Sequence, residues 1–104
     1  MSWRNEFPDW DGGELYIPEG WKDNSWHNNT CPHAELYVEK EDIVFYFCIW
    51  QDYIDVNKRE YDNTPRYTFE IDVKTGKWDY TLFLKQTDSL DEIKKLVEGV
   101  NIYL

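Results

Sequence analysis

The chain has 104 residues, 18% of them aromatic, and a formal net charge of −10. That length holds one domain with one modest core, and the aromatic content separates it from disordered acidic chains. A negative field repels nucleic acid and anionic lipid, so direct DNA, RNA or membrane binding is excluded as a leading reading.

The acid excess is uneven. Residues 1–33 carry two basic and six acidic side chains, residues 34–65 three and eight, and residues 66–104 six and seven. The two cysteines make no disulfide framework, and no secretory, transmembrane or lipidation pattern is visible. Free thiols and a cytoplasmic protein are expected.

Residues 1–33 show no lasting period. Four of the six tryptophans lie here (Trp3, Trp10, Trp21, Trp26), between Gly and Pro residues that predict turns. Tryptophan is rarely left wholly in water. The arm is therefore expected to lie over one sheet face, with a short strand near Glu14–Ile17.

Ala34–Glu39 alternates and predicts a strand, turning through Lys40-Glu41-Asp42 into the central run Ile43–Trp50. That run is eight residues of β-branched and aromatic type, apolar on both faces. The arm is assigned to its Val44/Tyr46/Cys48/Trp50 face. Asn57–Pro65 reads as a loop.

Arg66–Val73 and Trp78–Leu84 form a second hairpin, with Gly76 in its turn. Ser89-Leu90-Asp91-Glu92 fits a capping box. Leu90, Ile93, Leu96, Val97 and Val100 then make one helical stripe, with Gly99 as the stop. Val100, Ile102 and Leu104 are spaced for a short edge strand. Burying the five stripe residues is worth on the order of 10 kcal/mol before entropy. The expected fold is a single α+β domain over 1–104. Two hairpins (34–85) make an antiparallel sheet of about four strands, with the helix (88–99) on one face and the arm (1–33) on the other.

No catalytic set emerges. The three serines, Ser2, Ser25 and Ser89, lie in no G-x-S-x-G turn, and there is no phosphate-binding glycine loop. His33-Ala34-Glu35 is an H-x-E, but the downstream P-C-x-x-C of zinc deaminases is missing. His27, Cys31 and His33 are zinc-ligand types whose spacing fits no known module. Asp9–Glu14 starts like a calcium loop but lacks its later ligands. Asn28-Asn29-Thr30 is a glycosylation sequon without a secretory signal. No enzyme activity, cofactor or metal is assigned.

Two binding readings remain. In the first, Glu39, Glu41 and Asp42, then Asp52, Asp55, Glu60 and Asp62 with Tyr53 and Tyr61, form an acidic rim. Such a rim engages a basic nucleic-acid-binding protein as a phosphate mimic. The tyrosines supply contact area. In the second, Trp21, Asp23 and Trp26 form a small-ligand or carbohydrate site; the same residues also suit a loop pinned by its own tryptophans.

The pattern Trp21-x-Asp23-x-Ser25-Trp26-x-Asn28-x-x-Cys31-Pro32 resembles segments of small proteins from phages and mobile elements. The whole chain resembles anti-CRISPR proteins in type: about a hundred residues, acidic, one domain, no catalytic motif. That resemblance implies inhibition by binding a Cas effector in a bacterial cytoplasm. It transfers no residue roles, because anti-CRISPR proteins share no common fold. The oligomeric state, monomer or homodimer, turns on the arm: if it does not cover the Tyr46/Trp50 face, that face is a candidate homodimer interface.

Overall fold

The computed structural model describes residues 2–60 and 63–103. Five strands cross one antiparallel sheet in chain order: β1 (Lys22–Asp23), β2 (His33–Lys40), β3 (Ile43–Gln51), β4 (Tyr67–Lys74) and β5 (Asp79–Thr87). A helical turn, α1 (Trp3–Glu6), precedes them and helix α2 (Leu90–Tyr103) follows. This is the expected α+β domain with five strands in place of about four. The extra strand, β1, is two residues long and has no alternation to betray it. Glu14–Ile17, where a strand was expected, has no regular structure.

The hairpins form for separable reasons. Lys40 pairs with Ile43, so Glu41 and Asp42 make a two-residue turn, with Glu41 in the left-handed region at φ 56°. In the second hairpin the Thr75 hydroxyl accepts the Lys77 and Trp78 amides at 3.2 and 2.9 Å. That side chain shapes the turn. Gly76 sits in this turn without a positive φ; the positive-φ glycines are Gly13 and Gly20.

Helix α2 begins as a partial capping box. The Ser89 hydroxyl accepts the Glu92 amide at 3.3 Å, while the Ser89 amide donates to the Thr87 hydroxyl. The helix does not stop at Gly99. Val100 extends the buried stripe by another turn, and packing of that stripe outweighs the roughly 1 kcal/mol a glycine costs in a helix. The expected edge strand at Val100–Leu104 is therefore helix as far as Tyr103; Leu104 lies outside the described residues. No helix among the described residues is long and apolar enough to cross a membrane.

The core forms on one side of the sheet, where Trp21, Ala34, Phe47, Ile49, Tyr67, Phe69, Ile93 and Val97 are all buried. The arm was expected on the opposite side. Instead it shares the helix side. α2 packs over β4 and β5, which leaves the β2–β3 half of that apolar face in need of cover. Trp21 fills it, with its rings 6.3 Å from Phe47 and 6.4 Å from Phe69. Tyr16 lies beside α2, under the Lys94 ammonium.

Candidate functional site

Because helix and arm take the same side, the Val44/Tyr46/Cys48/Trp50 face is left without a layer of regular structure among the described residues. Register sets its neighbours. Glu35 and Glu70 flank Cys48, Tyr37 and Asp72 flank Tyr46, and Glu39 and Lys74 flank Val44. Thr81 and Leu84 continue the face on β5, opposite Asp72 and Glu70. Carboxylates and aromatic rings thus alternate across three adjacent strands.

The rings are held in place. Tyr37 stands edge-on to Tyr46 at 5.1 Å, and the Lys74 ammonium lies 4.9 Å over Tyr46. His33 stacks on Trp50 with centroids 4.2 Å apart, and the Trp50 indole donates to Glu70 at 3.3 Å. Tyr37 remains 51% exposed, so its ring is open to contact.

The electrostatics follow from this crowding. Burial raises the Glu70 carboxyl above its usual range; the Trp50 bond opposes the rise and the Asp72 carboxylate adds to it. The Cys48 thiol is pushed far up, first by burial and then by Glu35, Glu70 and Asp72. It donates weakly to Glu35 at 3.8 Å and stays protonated, the opposite of what a nucleophilic thiol needs. Burial lowers His33, against the pull of Glu35. The arrangement can present negative charge and flat apolar area; it holds no activated nucleophile.

The residues expected to form the acidic rim do not form one patch. Glu39, Glu41 and Asp42 sit exposed at the β2–β3 turn, and Asp52, Asp55 and Glu60 follow the far end of β3. A nine-residue strand puts about 30 Å between the two groups. Asp52 is buried, and its carboxylate accepts its neighbour's amide from Tyr53. Tyr53 is only 5% exposed, packs on Trp10 at 5.2 Å and donates its hydroxyl to Asp9. Tyr53 anchors the arm and Asp52 is tied to Arg66 at the start of the next hairpin, so both are buried in the fold's own contacts. Asp55 caps the 3-10 turn Val56–Lys58. Tyr61 and Asp62 lie outside the described residues.

The Trp21, Asp23 and Trp26 site is likewise dispersed. Trp21 is in the core, Asp23 accepts the Trp3 and Ser25 amides, and Trp26 is partly exposed against His27. His27 contacts Glu6 and His33 stacks on Trp50, while Cys31 is a buried thiol raised to about 12 by burial and by Asp52. Among the described residues no three of His, Cys, Asp and Glu gather to hold a metal. The calcium-like stretch is spent on the loop, since Asp11 accepts the amides of Ile54 and Asp55 at 2.9 and 2.8 Å.

Sequence reasoning missed Glu35, Tyr37, Tyr46, Trp50, Glu70 and Asp72 as a site. The signal was present, because these are the outward positions of the alternating strands. It was masked by the assignment of the arm to that face. No family model, curated protein or solved structure matches this chain.

Proposed function

We propose that this protein is a binding inhibitor of a nucleic-acid-handling protein, of the anti-CRISPR type, and that it engages a basic surface of its partner through the open face of the sheet. The observation that carries the reading is the alternation on that face of Glu35, Glu39, Glu70 and Asp72 with Tyr37, Tyr46 and Trp50. Carboxylates at strand spacing offer a basic channel a fixed row of negative charge, and the rings add contact area at low entropy cost. Strands hold these groups more rigidly than the turn and loop that carry Glu41, Asp42, Asp55 and Glu60.

The test uses exposed positions on this face, so that the fold survives: a Glu39→Lys, Tyr37→Ala variant. Tagged wild type and variant are compared in pull-downs from a bacterial lysate, washed at low and then high salt. Basic nucleic-acid-binding proteins held by wild type at low salt, lost at high salt and absent from the variant support the proposal. Equal retention by both chains, or retention indifferent to salt, would sink it.

A further inference from the structure

The outer edge of the sheet is unusual for a natural protein. Strand β5 is nine residues long and has β4 on one side and, among the described residues, no paired strand on the other. Every residue from Asp79 to Gln86 is exposed. Trp78, Tyr80, Leu82, Phe83 and Leu84 keep 69, 51, 56, 40 and 52% of their surface in water. A long, apolar, unpaired edge offers free backbone donors and acceptors to any extended chain. The opposite edge, β1, is two residues long and offers almost nothing.

We propose that β5 is a homodimer interface, pairing antiparallel with β5 of a second copy to make one continuous ten-stranded sheet. An antiparallel pair of identical strands has a two-fold axis, so this edge is complementary to itself and needs no other surface. Charge favours the same choice. Two chains of net charge −10 repel wherever their acidic segments meet, but β5 carries one Asp79 and one Lys85 and is neutral. Pairing there sets the acid-rich first 65 residues of each copy at the far ends of the assembly.

At about 200 Å² per large apolar side chain, Leu82, Phe83 and Leu84, the exposed apolar residues beside the axis, bring on the order of 300 Å². On the helix side an apolar groove lined by Phe69, Ile71, Phe83, Leu96 and Val100 adjoins the strand and adds to it. The contact is smaller than the roughly 800 Å² per partner of a standard interface, as befits a dimer that separates on dilution.

The bulge restricts the register. β5 has an extra residue, Leu82, between Phe83 opposite Ile71 and Thr81 opposite Asp72. The regular segment that remains is Phe83–Thr87. An axis through Lys85 would oppose two ammonium groups. An axis through Leu84 opposes Leu84 to its own copy and sets Phe83 across from the second copy's Lys85, on one face in both chains. The proposal does not rest on the function of the open face, although pairing would join the two open faces into one of double width.

The decisive variant is Leu84→Lys. Leu84 is half exposed and lies directly opposite Glu70, so a lysine there gains a cross-strand partner and the monomer fold is kept. In the dimer it places two ammonium groups against each other. Sedimentation velocity over a dilution series should show wild type as a dimer at micromolar concentration and Leu84→Lys as a monomer, with dimerisation weakened by about tenfold or more. Hydrogen exchange of wild type should show protection of residues 79–87 rising with concentration. A monomeric wild type, a dimer that survives Leu84→Lys, or β5 protection indifferent to concentration would each overturn the proposal.

Discussion

The side-chain amide of Gln51 acts as a strand partner for the arm at Tyr16. Its oxygen accepts the Tyr16 amide at 3.1 Å, and its nitrogen donates to the Glu14 carbonyl at 3.3 Å. Gln51 is 2% exposed, so neither bond is easily replaced by water. A segment without regular structure is thereby fixed to the last residue of β3. Gln51→Ala removes both bonds and leaves the part-buried Tyr16 amide and Glu14 carbonyl without them, at a cost of about 1–2 kcal/mol. Urea denaturation measures the loss. A change below about 0.5 kcal/mol, the range of an ordinary surface substitution, would show that the arm is held by its other contacts and not by Gln51.

The arm's tryptophans divide into anchors and bystanders. Trp21 is buried against Phe47 and Phe69, whereas Trp26 is 39% exposed beside His27. Trp21→Ala should cost about 3–5 kcal/mol, a large part of the 5–15 kcal/mol that stabilises a small domain. Trp26→Ala should cost less than about 1 kcal/mol. Equal costs by chemical denaturation would mean that Trp21 does not anchor the arm in the core.

The strands were readable for different reasons: burial of one face imposes a period of two on β2 and β4, β3 is a continuous β-branched and aromatic run, and β5 follows a hairpin turn. Helix α2 was readable from its stripe up to Gly99. Its true end was not, because the end is set by packing of Val100 on the sheet and not by local chemistry. The candidate site was legible only in part. Alternation shows that Tyr37, Tyr46 and Trp50 point away from Phe45 and Phe47. Which face an arm without periodicity will cover depends on how much sheet the helix leaves bare, and that is a matter of three-dimensional area. The burial of Asp52 and Tyr53 was hidden for a related reason: composition makes them an acidic loop, while Tyr53 bonds to Asp9 of the arm and Asp52 bonds to Arg66.

Gly99 offers a test of the helix end. It lies within α2, and a Cβ built there meets no atom within 4 Å. Gly99→Ala should therefore stabilise the protein by about 0.5–1 kcal/mol, through reduced freedom of the unfolded chain and better helix propensity. The thermal midpoint should rise accordingly. A fall would show that α2 ends at Gly99, as the sequence first suggested.

The two thiols predict how stability falls in alkali. Burial holds Cys31 up at about 12 and Cys48 higher still, against an ordinary thiol value of 9.0. A raised pKa means the folded state keeps a proton that the unfolded state releases. The contribution is whole below pH 9.0 and is lost as pH rises toward the folded values, at about 1.4 kcal/mol per pH unit for each thiol. Tyr53, raised by burial and by its bond to Asp9, adds to the same trend above its ordinary value of 10.0. Stability measured by denaturant from pH 8 to 11 should fall with a slope that Cys31→Ala and Cys48→Ala each reduce. An unchanged slope in both variants would remove the thiols from the account.

His33 governs the acid side with the opposite sign. Its ring is 5% exposed, stacked on Trp50, with Nε2 3.7 Å from Glu35 and its other nitrogen, Nδ1, without a partner among the described residues. Burial holds it below the ordinary histidine value of 6.5, although Glu35 and Asp23 pull upward. The unfolded chain then binds the proton more readily. His33's contribution is complete above pH 6.5 and is lost as pH falls from there through the folded value. Asp52 and Glu70, both raised by burial, act the other way: their contribution is whole at low pH and is lost as pH rises from the ordinary carboxylate range through their folded values. The overall curve therefore mixes signs, and the comparison that isolates His33 is with His33→Phe, which keeps a ring on Trp50 and removes the proton. Between pH 7 and 5 wild type should lose stability relative to His33→Phe, and the His33 imidazole resonance should titrate below 6.5 in the folded protein. Titration above 6.5 would mean that the Glu35 carboxylate outweighs burial, and that the open face carries a cation at neutral pH where a basic partner would need it to carry none.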